Sequence, residues 1–260
     1  MAKIVAVANQ KGGVGKSTTA VNLAAVLNAR GIRTLLIDLD PQANASTGYG
    51  IPRASRTVSL YDAMVGDVSV ASLIRKTPYG DCIPANMGLA GVNLALAGED
   101  DRAYRLHRVA EPLKSEYEFI FIDCPPSLEL LTVNALCFAD AVLVPLQCEY
   151  YALEGLGELV STIRMVRRGL NDRLEIEGIL FTMFDSRTRL ALQVVNEVKK
   201  HFPDKVYQTA IARNVRLSEA PSHGKPVIYY DRFSKGADNY QRLADEFLSR
   251  NPRRSAGKGQ

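Results

Sequence analysis

No apolar run in the sequence approaches the ~20 residues that a membrane-spanning helix needs. The N-terminus lacks the layout of a signal peptide, because residues 4–8 already read as a strand, so export is not expected and a cytosolic location is. Cysteine is scarce, and Cys82, Cys124, Cys137 and Cys148 form no C-x-x-C pair. Scattered cysteines in an unexported chain read as reduced core thiols. There are three histidines; His107 has no cysteine company and reads as a core or surface residue, not a metal ligand. Nothing has the form of a helix-turn-helix, a zinc finger or an aromatic stacking platform, which excludes base readout by those devices.

What is present is a core and a charge asymmetry. With 47% hydrophobic residues, 260 residues can bury one substantial core. Residues 1–159 carry a net charge of −4 and residues 160–260 a net charge of +8, from a total of +4. A basic second half attached to an acidic first half favours a polyanionic partner over an ordinary solvated surface.

Valine, isoleucine and leucine runs at 4–8, 34–37, 119–122, 141–144 and 178–182 alternate with helical patterns at 17–30, 102–115, 127–138, 152–169 and 188–202. Apolar strands alternating with helices predict an α/β fold: one domain over 1–250, with a mostly parallel twisted sheet covered by helices on both faces. Gly31 suits the end of the first helix. The stretch 43–101 is the least patterned, with a weak strand at 82–84. The basic, glycine-containing stretch 251–260 has no apolar anchor and reads as a disordered tail.

Between the first strand and the first helix lies Asn9-Gln10-Lys11-Gly12-Gly13-Val14-Gly15-Lys16-Ser17-Thr18-Thr19. A glycine-rich turn running into a helix N-terminus is an anion site, since backbone N–H groups and the helix dipole both face the ligand. Lys16 would reach the outer phosphates of a nucleotide and Ser17 would ligate Mg²⁺. The strict P-loop pattern fails, because Gln10 stands where it places its first glycine. The variant Lys-Gly-Gly-x-Gly-Lys-Ser fits, with Lys11 at its head. A dinucleotide-binding reading of Gly13-Val14-Gly15 is weaker, since Thr18 replaces the third glycine.

Two further strands end in acids. Asp38-Leu39-Asp40 follows the second strand, and strand C-termini line the crevice of an open parallel sheet. Alternation places Asp38 and Asp40 on one side if the strand reaches that far. One reading has Asp40 hold an attacking water and Asp38 support Mg²⁺ and its waters; the other makes them a strand-to-turn transition. Asp123 closes Phe119-Ile120-Phe121-Ile122 with Walker-B character and is expected to face the metal, leaving helix capping to Ser127.

These segments resemble the deviant-Walker-A ATPases of the ParA/Soj chromosome-partitioning type, relatives of MinD. The resemblance covers nearly the whole chain, through Asp38-Leu39-Asp40-Pro41-Gln42, Ile122-Asp123-Cys124-Pro125-Pro126, Glu149-Tyr150-Tyr151-Ala152-Leu153-Glu154-Gly155 and Asn214-Val215-Arg216-Leu217-Ser218-Glu219-Ala220-Pro221-Ser222-His223-Gly224-Lys225-Pro226. It implies a slow, partner-stimulated ATPase with ATP and Mg²⁺ as ligands. ATP would lie against Lys11, Gly12, Gly13, Val14, Gly15, Lys16, Ser17, Thr18, Arg213 and Asn214. Catalysis would fall to Lys11, Lys16 and Asp40, and the metal to Ser17, Asp38 and Asp123.

The same resemblance implies an ATP-dependent homodimer meeting through Lys11, Gly12, Glu149 and Tyr150. It implies sequence-independent binding to double-stranded DNA through Arg187, Arg216 and Lys225, a nucleoid-associated location, and a ParB/Spo0J-like centromere-binding partner. One position departs: the family has proline before Arg213-Asn214 in the adenine loop, and here it is Ala212. A MinD-like membrane switch is the alternative, but the 251–260 stretch has no apolar face to lie on a bilayer. An iron–sulfur reductase is a third reading, resting on Cys124 beside the Walker-B aspartate.

Overall fold

In the computed structural model, residues 1–252 are described. Seven strands form one sheet in the order β3-β4-β2-β5-β1-β6-β7. They are β1 (Lys3–Val7), β2 (Thr34–Asp38), β3 (Arg75–Thr77), β4 (Gly80–Ile83), β5 (Phe119–Asp123), β6 (Ala141–Gln147) and β7 (Glu175–Thr182). All neighbours pair in parallel except β3, which returns antiparallel to β4 at the edge.

The central strands are buried on both sides, and alternation along them divides the interior into two layers. Ile4, Ala6, Ile120 and Ile122 point into one, beneath the helices Leu130–Phe138 and Ala152–Gly169. Val5, Val7, Phe119 and Phe121 point into the other, under α1 (Lys16–Ala29) and the last helix, Lys235–Arg250. Phe247 from that last helix sits edge-on to Phe119, with ring centroids 5.1 Å apart. Because α1 lies between sheet and helix, every residue from Thr19 to Leu27 is buried. Gly31, in the left-handed region at φ 76°, ends α1 as expected.

Three expectations need correction. The single helix read over 102–115 is broken into a 3₁₀ turn, a short helix Arg105–Ala110 and a second 3₁₀ turn, Glu111–Ser115, where Pro112 cannot donate to the preceding turn. The following helix begins at Leu130, and Ser127 does not cap it; its carbonyl accepts from the Thr132 hydroxyl at 2.6 Å instead. Asn251, placed in the disordered stretch, is buried, and its amide donates to Glu177 Oε1 at 2.7 Å and to the Phe247 carbonyl. The rest of that reading, residues 253–260, lies outside the described residues.

Candidate active site

Parallel register brings three strand ends level: Val7 of β1 faces Asp123 of β5, which faces Asp38 of β2. The loop after β1 is braced by Asn9. Its amide donates to the Pro145 carbonyl at 2.8 Å, and its Oδ1 accepts from the Lys11 N–H at 3.0 Å. Gly13 and Gly15 hold φ of 74° and 89°, where a β-carbon is strained. A β-carbon added at Gly12 or Gly13 would meet nothing within 4 Å, so the loop opens onto free space. That is the shape of an anion cradle.

Lys16, the first residue of α1, is buried, and its Nζ donates back across the loop to the Lys11 carbonyl at 3.0 Å. Burial lowers its pKa, while the charges of Asp123, Cys124 and Asp40 act in the opposite direction. Beneath it Asp123 is wholly buried, and neither carboxylate oxygen has a hydrogen-bond partner of ordinary geometry among the described residues. Burial and then the Asp38 charge raise its pKa, which the neighbouring Ser17 hydroxyl and Lys16 only partly offset. An orphaned buried carboxylate is expensive unless a cation completes it. Ser17 and Asp123 therefore fit a hard divalent metal bound to oxygen ligands.

The two aspartates after β2 do not share one environment, because the strand ends at Asp38. Asp38 Oδ2 accepts from the Ser46 N–H at 2.7 Å and the Ser46 hydroxyl at 2.6 Å, and Oδ1 accepts from the Asp40 N–H at 3.2 Å. Burial pushes its carboxyl up to about 6 against those bonds. Asp38 thus anchors α2 (Asn44–Gly48) from behind the site. Asp40 instead lines an open cleft of about 390 Å³ together with Gly12, Gly13, Lys16 and Ser17.

A second cleft of about 520 Å³ continues from the first, sharing Gly15, Thr18, Met183 and Pro221. Ile211, Ala212, Arg213, Asn214 and Tyr240 line it, an apolar wall with polar edges that suits a nucleobase. Asn214 is also an N-cap: its side chain accepts from the Arg216 N–H at 3.0 Å. Sequence reasoning missed Thr182 and Met183. Thr182 donates to the Val14 carbonyl at 2.8 Å, locking β7 to the phosphate loop, and Met183 turns the chain at φ 48°. Their position at the C-terminal end of a strand was the available signal.

The remaining predicted residues divide. Lys11 is directed to the rim, where it forms an ion pair with Glu149 of its own chain. Tyr150 and Tyr151 stand next to that pair, 76% and 66% exposed, with their rings edge-on to each other. Arg187 is exposed and held by Asp185, and Arg216 is held by Glu219 at 2.8 Å and Asp231 at 3.2 Å. Lys225 lies apart from the exposed arginines in one respect: it lines the phosphate cleft. Cys124 is completely buried behind Lys16, with its thiol pushed up by burial, which leaves it no route to a cluster shared between subunits.

Residues 2–176 match the family model described as an AAA domain. The sporulation initiation inhibitor protein Soj of Bacillus subtilis is 55% identical over 248 residues, covering 95% of this chain and 98% of that one. The chain belongs to the ParA/Soj family of partitioning ATPases. A chromosome partitioning protein ParA from Myxococcus xanthus is 51% identical over 97% of this chain and 90% of its own length. Among solved structures, a cobyrinic acid a,c-diamide synthase from Mycobacterium smegmatis with bound ATP analogue and magnesium is 36% identical. It superposes with a TM-score of 0.87 over 97% of this chain and 96% of that one. The cell-division ATPase MinD of Pyrococcus furiosus, 24% identical with a TM-score of 0.78, shares the fold. ATP and Mg²⁺ are the ligands of this family site, and the oxygen donors and open glycine loop suit both. No helix among the described residues is long and apolar enough to cross a membrane.

Proposed function

We propose that the protein is an ATP-driven dimerisation switch that holds DNA without sequence preference in its ATP state and releases it on hydrolysis, in chromosome or plasmid partitioning. The observation that carries this reading is the division of labour between two lysines. Lys16 lies inside the phosphate loop, whereas Lys11 is turned outward to an exposed acidic and aromatic rim. A cation leaving its own cleft at such a rim is placed to enter a second copy's cleft. There it would neutralise charge that builds on the transferring phosphoryl group, as an arginine finger does.

In that scheme the N–H groups of the glycine loop and the Lys16 ammonium hold the phosphates. Ser17 and Asp123 would hold Mg²⁺, which supplies charge neutralisation at the phosphate oxygens. Asp40, in the cleft with one carboxylate oxygen accepting from the Gln42 N–H at 2.9 Å, orients the attacking water through the other. Asp38 acts indirectly, by fixing α2 and the turn that carries Asp40. The apolar second cleft takes the adenine, with Arg213 and Asn214 at its edge. Pairing of two protomers doubles the basic surface around Arg187 and Arg216, so DNA affinity rises by bivalency. A ParB-like centromere-binding protein is the partner expected to stimulate turnover.

Size-exclusion chromatography and DNA retention with ATP, with ADP and without nucleotide test the scheme. Lys16→Ala should lose nucleotide binding altogether. Lys11→Ala should bind ATP and stay monomeric. Asp40→Ala should accumulate an ATP-loaded dimer on DNA; undiminished ATP turnover by that variant would remove Asp40 from the mechanism.

A further inference from the structure

Phe233 is the one exposed phenylalanine among the described residues, with 85% of its surface in solvent. It is not a loose loop residue. Its N–H donates to Asp231 Oδ1 at 3.2 Å, and the Asp231 carbonyl accepts from the Ser234 N–H at 3.1 Å and from the Ser234 hydroxyl at 2.7 Å. Ser234 in turn caps the last helix by accepting from the Ala237 N–H at 3.2 Å. Both ends of the turn are therefore fixed, and the ring is held out from it.

Its surroundings are cationic. The Arg232 guanidinium lies over the ring, 4.5 Å from the centroid. The other carboxylate oxygen of Asp231 meets Arg216 Nε at 3.2 Å, so a single aspartate ties the Phe233 turn to Arg216. Lys235, the first residue of the last helix, follows Phe233 after Ser234. The ring thus stands against Arg232, with Arg216 tied to the same turn through Asp231.

We infer that Arg232 and Phe233 form an aromatic–cationic contact for double-stranded DNA. Phe233 packs into a groove against sugar and base edges, and Arg232 and Arg216 meet the flanking phosphates. The inference rests on the DNA-binding reading above and adds a contact that cations alone do not supply. Phosphate contacts position a protein on the duplex, whereas an apolar side chain can wedge at a base step and resist sliding. A bilayer surface would also take a phenylalanine among arginines. The DNA reading is favoured because the ring is single, and an interfacial helix needs a continuous apolar face.

The test uses the full chain with ATP and Mg²⁺ and a mixed-sequence duplex, with retention measured over a series of salt concentrations. Phe233→Ala should weaken binding roughly 5- to 100-fold at every salt concentration, the range seen for loss of an aromatic–base contact. Its slope of log affinity on log salt should not change, because the ring displaces no counterions. Arg232→Ala should make that slope shallower by about one contact. Phe233→Tyr should retain most of the affinity, and basal ATP turnover and ATP-dependent dimerisation should be unchanged in all three variants.

Equal affinity of Phe233→Ala and the unaltered chain would overturn the inference. So would loss of dimerisation, which would assign the ring to the second copy. So would loss of binding to phosphatidylserine vesicles with DNA retention intact, which would assign it to a membrane. If the unaltered chain retains no DNA, the underlying function fails first and this contact falls with it.

Discussion

At the scale of single residues the site is a set of buried charges awaiting compensation, and Asp38 exposes this to measurement. An aspartate in an unfolded chain titrates near ~3.9, whereas burial raises Asp38 to about 6. The folded state therefore binds this proton more tightly than the unfolded chain. Asp38's contribution to stability is present at low pH and lost as pH rises from about 4 to about 6. The buried Asp123, also raised, extends the same trend upward. Urea unfolding of the nucleotide-free protein across this range should show a decline that Asp38→Asn flattens. Ser46→Ala removes the hydroxyl hydrogen bond to a buried carboxylate while leaving the Ser46 N–H in place, and should cost about 1–3 kcal/mol. It should also push the Asp38 transition to higher pH. A Ser46→Ala protein with unaltered stability and pH profile would contradict the role given to this pair.

At the scale of elements, the phosphate loop, the acid-ended strands β2 and β5 and the alternation of strand and helix were legible in the sequence. Each is local: a glycine, a lysine or an aspartate at a strand end has its meaning within ten residues. The last helix, Lys235–Arg250, was overlooked, although Ala237, Tyr240, Leu243, Ala244 and Phe247 form an apolar stripe. Its partners, Phe119 and α1, are more than a hundred residues away in sequence. Strand β3 was equally hidden, because Arg75, Lys76 and Thr77 carry no apolar pattern and pair only at the sheet edge. The different fates of Asp38 and Asp40 depend on Ser46, which nothing in the motif announces.

Two predictions belong to these elements. Phe247→Ala, removing a fully buried ring between the last helix and the sheet, should cost about 3–5 kcal/mol in chemical denaturation. The second concerns α2 and the turn before Pro226. There Gly50, φ 71°, and Gly224, φ 60°, meet backbone to backbone, and a β-carbon on Gly50 would lie 2.8 Å from the Gly224 carbonyl oxygen. Gly50→Ala should therefore separate α2 from the Lys225 turn and weaken ATP binding through the shared cleft, measured by titration with a fluorescent ATP analogue. Unchanged affinity would show that the cleft does not depend on this contact.

At the scale of the whole molecule, the phosphate loop and its acids come from the first half of the chain, whereas the apolar wall of the second cleft and the exposed arginines come from the second half. Charge is distributed accordingly, net −4 over residues 1–159 and +8 over residues 160–260. A dimer touching about 6–10 phosphates should lose roughly 10³–10⁵ in DNA affinity between ~50 and ~200 mM salt, while ATP binding within the cleft changes far less. The most direct test is light scattering coupled to size exclusion on the Asp40→Ala protein, with ATP and with ADP, beside a Lys11→Ala, Asp40→Ala double variant. The account predicts a dimer for the single variant in ATP alone, and a monomer for the double variant in either nucleotide. A double variant that still dimerises with ATP, or a single variant whose mass is the same in both nucleotides, would contradict it.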